Sequence, residues 1–356
     1  PLSHYDWEQN RQLTTLSEKA NTEYEYQIKD TRFLEYLYNA NGELITHLLK
    51  HEITRVNSDE AIEKNNKIYL PVSSQSSLLK TKARVINSQG KVFTLDQSNI
   101  LEKVDEESQQ TYYYFALEGI DKGSEIEYFY LVESAMNYTG RREIMQSNIA
   151  KKEVEFEIIS PKNLVFTAKS LNGFPEMQQD TLEDGANKLY AKLENIEARD
   201  EEEFAAFIPN LMQVQYKLQF NTSQSSNKPV INYGGVAENI YAKFHEELAK
   251  NTQKELEKFI KLIKVNKHKS KEDQVRQIEH YLKINFQIIE NGAPELADIS
   301  NVLNNKFCNA QGMTNLMVRI FDALEIENQT VIGSNRFEIR FDKSFESYLY
   351  LNEYLL

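Results

Sequence analysis

The chain has 356 residues, 40% hydrophobic and 11% aromatic, which is enough to bury a core in each of two domains and too apolar for a disordered chain. A formal net charge of −13 argues against nucleic acid or an anionic membrane surface as the main partner. The single cysteine excludes an intrachain disulfide and a cysteine-rich zinc site, and no run approaches the roughly 18 apolar residues of a membrane-spanning helix.

The chain opens on Pro1 without a visible signal peptide and stops inside an apolar run, Tyr354-Leu355-Leu356. Both ends read as cuts in something longer. Residues 1–22 are polar and are expected to form an N-terminal arm, with Trp7 as its one candidate pin to the body.

From about 24 to 222 the hydrophobic period is two. Leu44, Thr46 and Leu48 alternate with Ile45, His47 and Leu49, and the run ends near Val56. Asn87-Ser88-Gln89-Gly90 separates Ala83–Ile86 from Val92–Leu95, which predicts a hairpin. Ile126, Tyr128, Tyr130 and Val132 share a face, as do Val154, Phe156 and Ile158. Met212, Val214, Tyr216, Leu218 and Phe220 alternate with Gln213, Gln215, Lys217 and Gln219, which predicts a half-buried strand. Many short strands with polar turns predict an antiparallel sandwich or a strongly curved sheet.

His47 and His51 share a strand face about 13 Å apart, too far to hold one metal, and read as solvent-facing. Tyr112-Tyr113-Tyr114-Phe115 reads as a strand covered on both faces, with a carbohydrate or peptide platform as the alternative. Asp200–Glu203 reads as a solvated helix start before Phe204. Three short glycosylation patterns begin at Asn137, Asn221 and Asn328. Residues 221–235, rich in Ser, Asn, Pro and Gly, are the linker candidate.

After the linker the period becomes 3.6. Leu256, Phe259, Ile260 and Ile263 form one helical stripe. Ser270 and Asp273 resemble a capping box opening a second helix, with Val275, Ile278, Leu282 and Phe286 on one side. Asn291-Gly292-Ala293-Pro294 breaks the pattern, and a short helix near 295–303 follows. Then comes a helix predicted to start at Cys308, with Met313, Leu316, Met317, Ile320 and Leu324 as its apolar stripe. Gln329–Ile332 and Arg336–Phe341 are predicted as strands around the turn Gly333-Ser334-Asn335.

Cys308 is the candidate catalytic nucleophile. A thiol at a helix N-terminus lies near orphan N–H groups that favour thiolate, and Cys308 falls off the apolar stripe, in phase with Gly312, Asn315 and Arg319. Against this, a lone cysteine is more often a small buried hydrophobe.

This order of elements resembles the transglutaminase-like superfamily over roughly 250–340. The resemblance rests on a helix like Glu272–Phe286, a short one like Val302-Leu303, Cys308, the run Leu316 to Ile326, and Gln329-Thr330-Val331-Ile332. It implies a papain-like core. Over about 30–220, His51–Asn57, Ala61–Tyr69, Ala83-Arg-Val85, Phe115–Gly119 and Lys122–Tyr128 resemble a domain of unknown function that precedes transglutaminase-like domains in exported proteins of Gram-negative bacteria. That implies a sandwich-like fold and a location at the cell envelope, periplasmic or extracellular. Active members pair the cysteine with a later histidine and then an aspartate. Here all six histidines, at 4, 47, 51, 245, 268 and 280, precede Cys308, and Phe307 stands where a glycine usually does. Asp322 and Asp342 are poor bases for a thiol without an imidazole. The helical phase of His280 points it to water.

The expected fold is α+β. An arm at 1–22 leads into an antiparallel β-sandwich-like domain at 23–224, then a papain- or transglutaminase-like α+β domain at 225–356, C-terminally incomplete. The leading reading is an exported, non-catalytic protein that binds or scaffolds a protein, peptide or glycan at the envelope. The second is a cysteine-dependent amide hydrolase or acyltransferase with Cys308 as nucleophile and its histidine beyond residue 356. The third is a carbohydrate- or peptide-binding β module. No metal-ligand cluster, phosphate-cradling glycine loop or GxSxG elbow is present, so no metal or cofactor is expected.

Overall fold

The computed structural model describes residues 2–72, 76–104, 111–137, 140–223, 228–289 and 293–356. Part of the linker candidate (224–227), the break at Asn291-Gly292 and the sequon residues 138–139 lie outside the described residues. The chain divides into two compact units, Pro1–Val230 and Ile231–Leu356. It is mixed α+β and strand-rich, with eight α-helices among the described residues.

The first unit has three short helices, α1 (Glu18–Thr22), α2 (Asp59–Asn65) and α3 (Phe207–Asn210). Its strands are β1 (Glu25–Tyr38), β2 (Leu44–Val56), β3 (Lys67–Leu70), β4 (Ser76–Ile86), β5 (Val92–Thr94), β6 (Leu101–Val104), β7 (Thr111–Ala116), β8 (Ser124–Ala135), β9 (Arg141–Ile144), β10 (Lys151–Ser160), β11 (Leu164–Leu171), β12 (Gln178–Thr181), β13 (Asn187–Ile196) and β14 (Gln213–Asn221). Eight of them form one sheet in the order β12-β13-β10-β1-β2-β8-β4-β5. The expected purely antiparallel arrangement is corrected at one join: β1 and β10 run parallel. They are separated by the whole stretch between Tyr38 and Lys151, long enough for the crossover that a parallel pair needs. The predicted hairpin forms between β4 and β5. Asn87 Oδ1 accepts from Gln89 N and Lys91 N, and Gly90 takes the left-handed φ of +80° that closes the turn.

One face of the large sheet carries the apolar cores. Leu34, Phe156 and Ile158 pack on Leu164 and Phe166 of β11 and Val214, Tyr216 and Leu218 of β14, which belong to the three-stranded sheet β11-β14-β9. Ala83, Tyr130 and Val132 pack on Ile68 and Leu70 of β3 and Phe115 of β7, in the sheet β3-β7-β6. A row of buried charges crosses the same face. Asp30, fully buried, takes two 2.9 Å bonds from Arg32 and one of 2.6 Å from Lys151. Burial alone would raise the Asp30 carboxyl, but the two cations hold it well below the usual carboxylate range. Glu52 accepts from Gln27 at 2.8 Å and from Tyr128.

The opposite face is covered by the N-terminal arm. Leu2 and Trp7 are buried on Leu49, Phe129 and Leu131. Tyr5 bonds His51 Nδ1 at 2.6 Å, and His51 Nε2 bonds Glu127 at 3.0 Å. Glu127 also receives Arg84 at 2.7 Å and Arg11 at 2.9 Å, while Glu125 receives Arg11 and Arg55. Arg84 stacks over the Trp7 ring at 4.4 Å. His47 and His51 are therefore buried, at 7% and 3% exposure, and not solvent-facing as expected. The reason is topological: β2 lies between β1 and β8 in the interior of the sheet, and the arm covers its polar side.

Three further expectations are corrected. β14 is buried on both sides: Val214, Tyr216 and Leu218 pack in the core, and Gln213 and Gln215 on the other face are each 1% exposed. Tyr112–Phe115 is covered on one face only: Phe115 is fully buried, while Tyr112 points outward at 37% exposure. Asp200–Glu203 starts no helix. Phe204 follows in the left-handed region at φ +64°, which breaks helical propagation, and α3 begins only at Phe207.

Burial pushes the His51 imidazole below its ordinary 6.5, with the bond to Glu127 offsetting part of the shift. Burial would raise Glu127, but bonds from His51 and Arg84 bring it down to about 2. A lowered His51 means that the native pocket holds fewer protons than the open chain. Its contribution is complete above about pH 6.5 and declines as pH falls towards the lowered value; that of Glu127 declines only below about pH 4.5. Trp7 is the only tryptophan, so its emission reports the arm. We expect the emission maximum to shift red as pH falls below about 6.5 and through the range of both groups, with His51→Gln removing part of the shift. A maximum unchanged as pH falls from about 7.5 to about 2 contradicts this.

Candidate functional site

The second unit is built around Cys308 and the helix after it. Its elements are α4 (Tyr233–His245), α5 (Lys250–Ile263), α6 (Lys271–Asn285), β15 (Gln287–Ile288), a 3-10 turn (Pro294–Ala297), α7 (Ile299–Asn305), β16 (Phe307–Cys308), α8 (Ala310–Ala323), β17 (Val331–Gly333), a second 3-10 turn (Tyr348–Tyr350) and β18 (Glu353–Leu355). The capping expected at Ser270 is present: its hydroxyl accepts from Asp273 N at 3.1 Å and opens α6. Leu256, Phe259 and Ile263 of α5, Ile278 and Leu282 of α6, and Val302 and Leu303 of α7 enclose Leu316 and Ile320 of α8. Val318 and Phe321 are buried as well, so α8 is covered on several sides.

Cys308 does not open this helix. It ends the two-residue strand β16, paired in parallel with β15, with Ile288 beside Cys308. Asn309 is the N-cap of α8, and its side-chain oxygen accepts from Gly312 N at 2.9 Å. The short polar side chain next to the cysteine thus takes the orphan N–H that the thiol was expected to use. Helical phase does not apply to an extended residue. Strand alternation instead sends Phe307 outward, at 46% exposure, and Cys308 inward, fully buried among Val302, Leu316 and Ile320.

Among the described residues the sulfur has one polar contact, the carbonyl of Gln287 at 3.9 Å. Burial pushes the thiol up to about 11, and no charged group among the described residues offsets it. A thiol in this setting is neutral and a weak nucleophile.

The candidate partners lie apart from it. His245 Nδ1 bonds the Tyr241 carbonyl at 2.8 Å, and its Nε2 is 3.5 Å from Asp322. His268 and His280 are exposed. Asp342 accepts from the backbone and hydroxyl of Ser344 at 2.8 and 2.7 Å, as a turn cap. The predicted strand Arg336–Phe341 is a turn instead: Asn335 captures Phe337 N, Glu338 N and Ile339 N, and β17 pairs with β18. Among the described residues no three His, Cys, Asp or Glu side chains converge as a metal site, and no helix is long and apolar enough to cross a membrane.

The residues that sequence reasoning missed belong to the first unit. The relay Glu127–His51–Tyr5 and the Asp30–Arg32–Lys151 cluster are buried polar constellations. Their one signal was charged residues inside strongly β-forming runs.

Residues 49–200 match DUF3857, a domain of unknown function with a solved structure. No curated protein matches the chain. Among solved structures the chain is similar to a candidate protease of Parabacteroides distasonis, with a TM-score of 0.70 and 12% identity. The likeness covers 93% of this chain and 64% of that one, so the chain spans less than two thirds of the other's length. At this identity the likeness is one of fold.

The approach of α8 to the first 3-10 turn admits no side chain at Gly312: a Cβ there would lie 2.2 Å from the Leu296 carbonyl oxygen. That same carbonyl accepts from Asn309 N at 3.2 Å and so holds the Cys308 segment in place. Gly312→Ala should destabilise the second unit by at least about 2 kcal/mol, read as a shift in the denaturant midpoint. An unchanged midpoint contradicts this packing.

Proposed function

We propose that the chain is a non-catalytic binding or scaffolding protein of the cell envelope, with a sandwich-like domain at 23–224 and a transglutaminase-like domain at 225–356 kept for its fold. One observation carries the reading: the Cys308 thiol is sealed in an apolar shell and faces a carbonyl rather than an imidazole. The transglutaminase-like assignment is supported by α6 and α7 preceding the cysteine, a largely buried helix following it, and the fold likeness to a candidate protease. The envelope location rests on the resemblance of residues 30–220 alone. The outward row Tyr69, Tyr114 and Leu101, with Lys67 over both tyrosine rings, is the partner surface this reading gives the first unit.

The likeness to a candidate protease favours a second reading, in which Cys308 is the nucleophile of an amide hydrolase and the base comes from outside the residues described. Alkylation by iodoacetamide separates the two. At pH 7 to 9 native Cys308 should react on the order of 100-fold more slowly than the denatured chain, since both its thiolate fraction and its access are reduced. Fast alkylation near pH 7, in this chain or in one extended past Leu356, supports the enzyme and contradicts the scaffold.

A further inference from the structure

We infer that the second unit carries a binding cleft for a basic peptide, lined by α4, the C-terminal end of α8 and the segment leading into β17. The cleft has a volume of about 1140 Å³, somewhat above the usual range for a small-molecule site of roughly 300–1,000 Å³. The inference goes beyond the scaffold reading and does not rest on it: of the buried cluster that holds Cys308 the cleft shares Ile326 alone, and it stands whether or not the thiol reacts.

Its chemistry is two-layered. The floor is apolar, from Val236, Phe244 and Ile326, all buried. The rim is acidic: Glu238, Asp322, Glu325 and Glu327 line the cleft, and no lysine or arginine among the described residues does. His245 is the basic side chain among the described lining residues, and it is engaged with Asp322. Glu238, Glu325 and Glu327 form no ion pair among the described residues, while the nearby cations are engaged elsewhere, Lys271 on the Leu324 carbonyl and Arg319 on the carbonyls of Lys243 and Glu246. Aromatic rings stand beside them. Tyr241 is 66% exposed and stacks on His245 at 4.0 Å, and Tyr233 stacks on Phe341 at 5.6 Å. Carboxylates and aromatic faces over an apolar floor suit a lysine or arginine side chain flanked by aliphatic ones. An acidic peptide would meet uncompensated like charge.

Glu325 occupies the left-handed region at φ +54°, just past the end of α8, where glycine is the unstrained residue. A carboxylate is held at the cleft in a conformation that disfavours it. Removing it by Glu325→Gly relieves the backbone, so loss of binding cannot be ascribed to loss of fold.

The test is fluorescence anisotropy of the 356-residue protein with a labelled octapeptide of alternating leucine and lysine, against its leucine–glutamate counterpart. The lysine peptide should bind and the glutamate peptide should not. Glu325→Gly with Glu327→Gln should weaken binding at least fivefold, and Tyr241→Ala should weaken it too. A control with the same charge change elsewhere, Glu201→Gln with Glu202→Gln, should leave it unchanged. Equal weakening by the control overturns the proposal as non-specific attraction to an acidic protein. No binding, or binding untouched by the cleft variants, overturns it. Displacement of the peptide by spermidine at equal affinity overturns the peptide in favour of a small amine. A dimer dissociated by the cleft variants overturns it in favour of a second copy.

Discussion

A charge taken out of water persists only where an opposite charge or a set of hydrogen bonds goes with it. Both units obey this constraint, with opposite results. In the first unit the buried acids arrive with partners: Asp30 with Arg32 and Lys151, Glu125 with Arg11 and Arg55, Glu127 with Arg11, Arg84 and His51. Asp30 and Glu127 remain ionised. In the second unit Cys308 is buried with apolar neighbours and one carbonyl, so the proton stays on sulfur.

The same constraint explains why the N-terminal arm is ordered. The large sheet has a core on one face and a polar band on the other. Left open, that band would expose Phe129 and Leu131 among its charges. The arm covers them with Leu2 and Trp7 and supplies Arg11 to the two glutamates. Breaking one member of such a network leaves its partner buried and uncompensated, which costs more than the bond itself. A segment with little apolar periodicity is thus fixed by electrostatics that no local pattern displays.

Much of the fold was legible in hydrophobic period. β2, β8, β10 and β14 lie where alternation placed them, and α5 and α6 where stripes and the Ser270 cap placed them. What failed were inferences from a residue's polarity to its exposure. His47, His51, Gln213 and Gln215 alternate as if facing water, yet each sits on an interior strand whose polar side is covered. Which strand is interior depends on pairings across more than a hundred residues, such as β1 with β10. At the candidate site the position of Cys308 before a buried helix was readable, but its direction was not. One residue decided it: Asn309 rather than Cys308 caps α8, and an extended cysteine turns into the core where a helical one would have turned out.

The Cys308 sulfur is a protonated thiol, buried among apolar side chains with no base beside it among the described residues. The most direct measurement is the Cβ chemical shift of Cys308, labelled with carbon-13 and followed by NMR as pH is raised. The account predicts a protonated-thiol shift that stays constant through pH 9, with titration centred near 11. A shift that moves with a midpoint below about 8 would mean a thiolate stabilised by a nearby cation, and would contradict it.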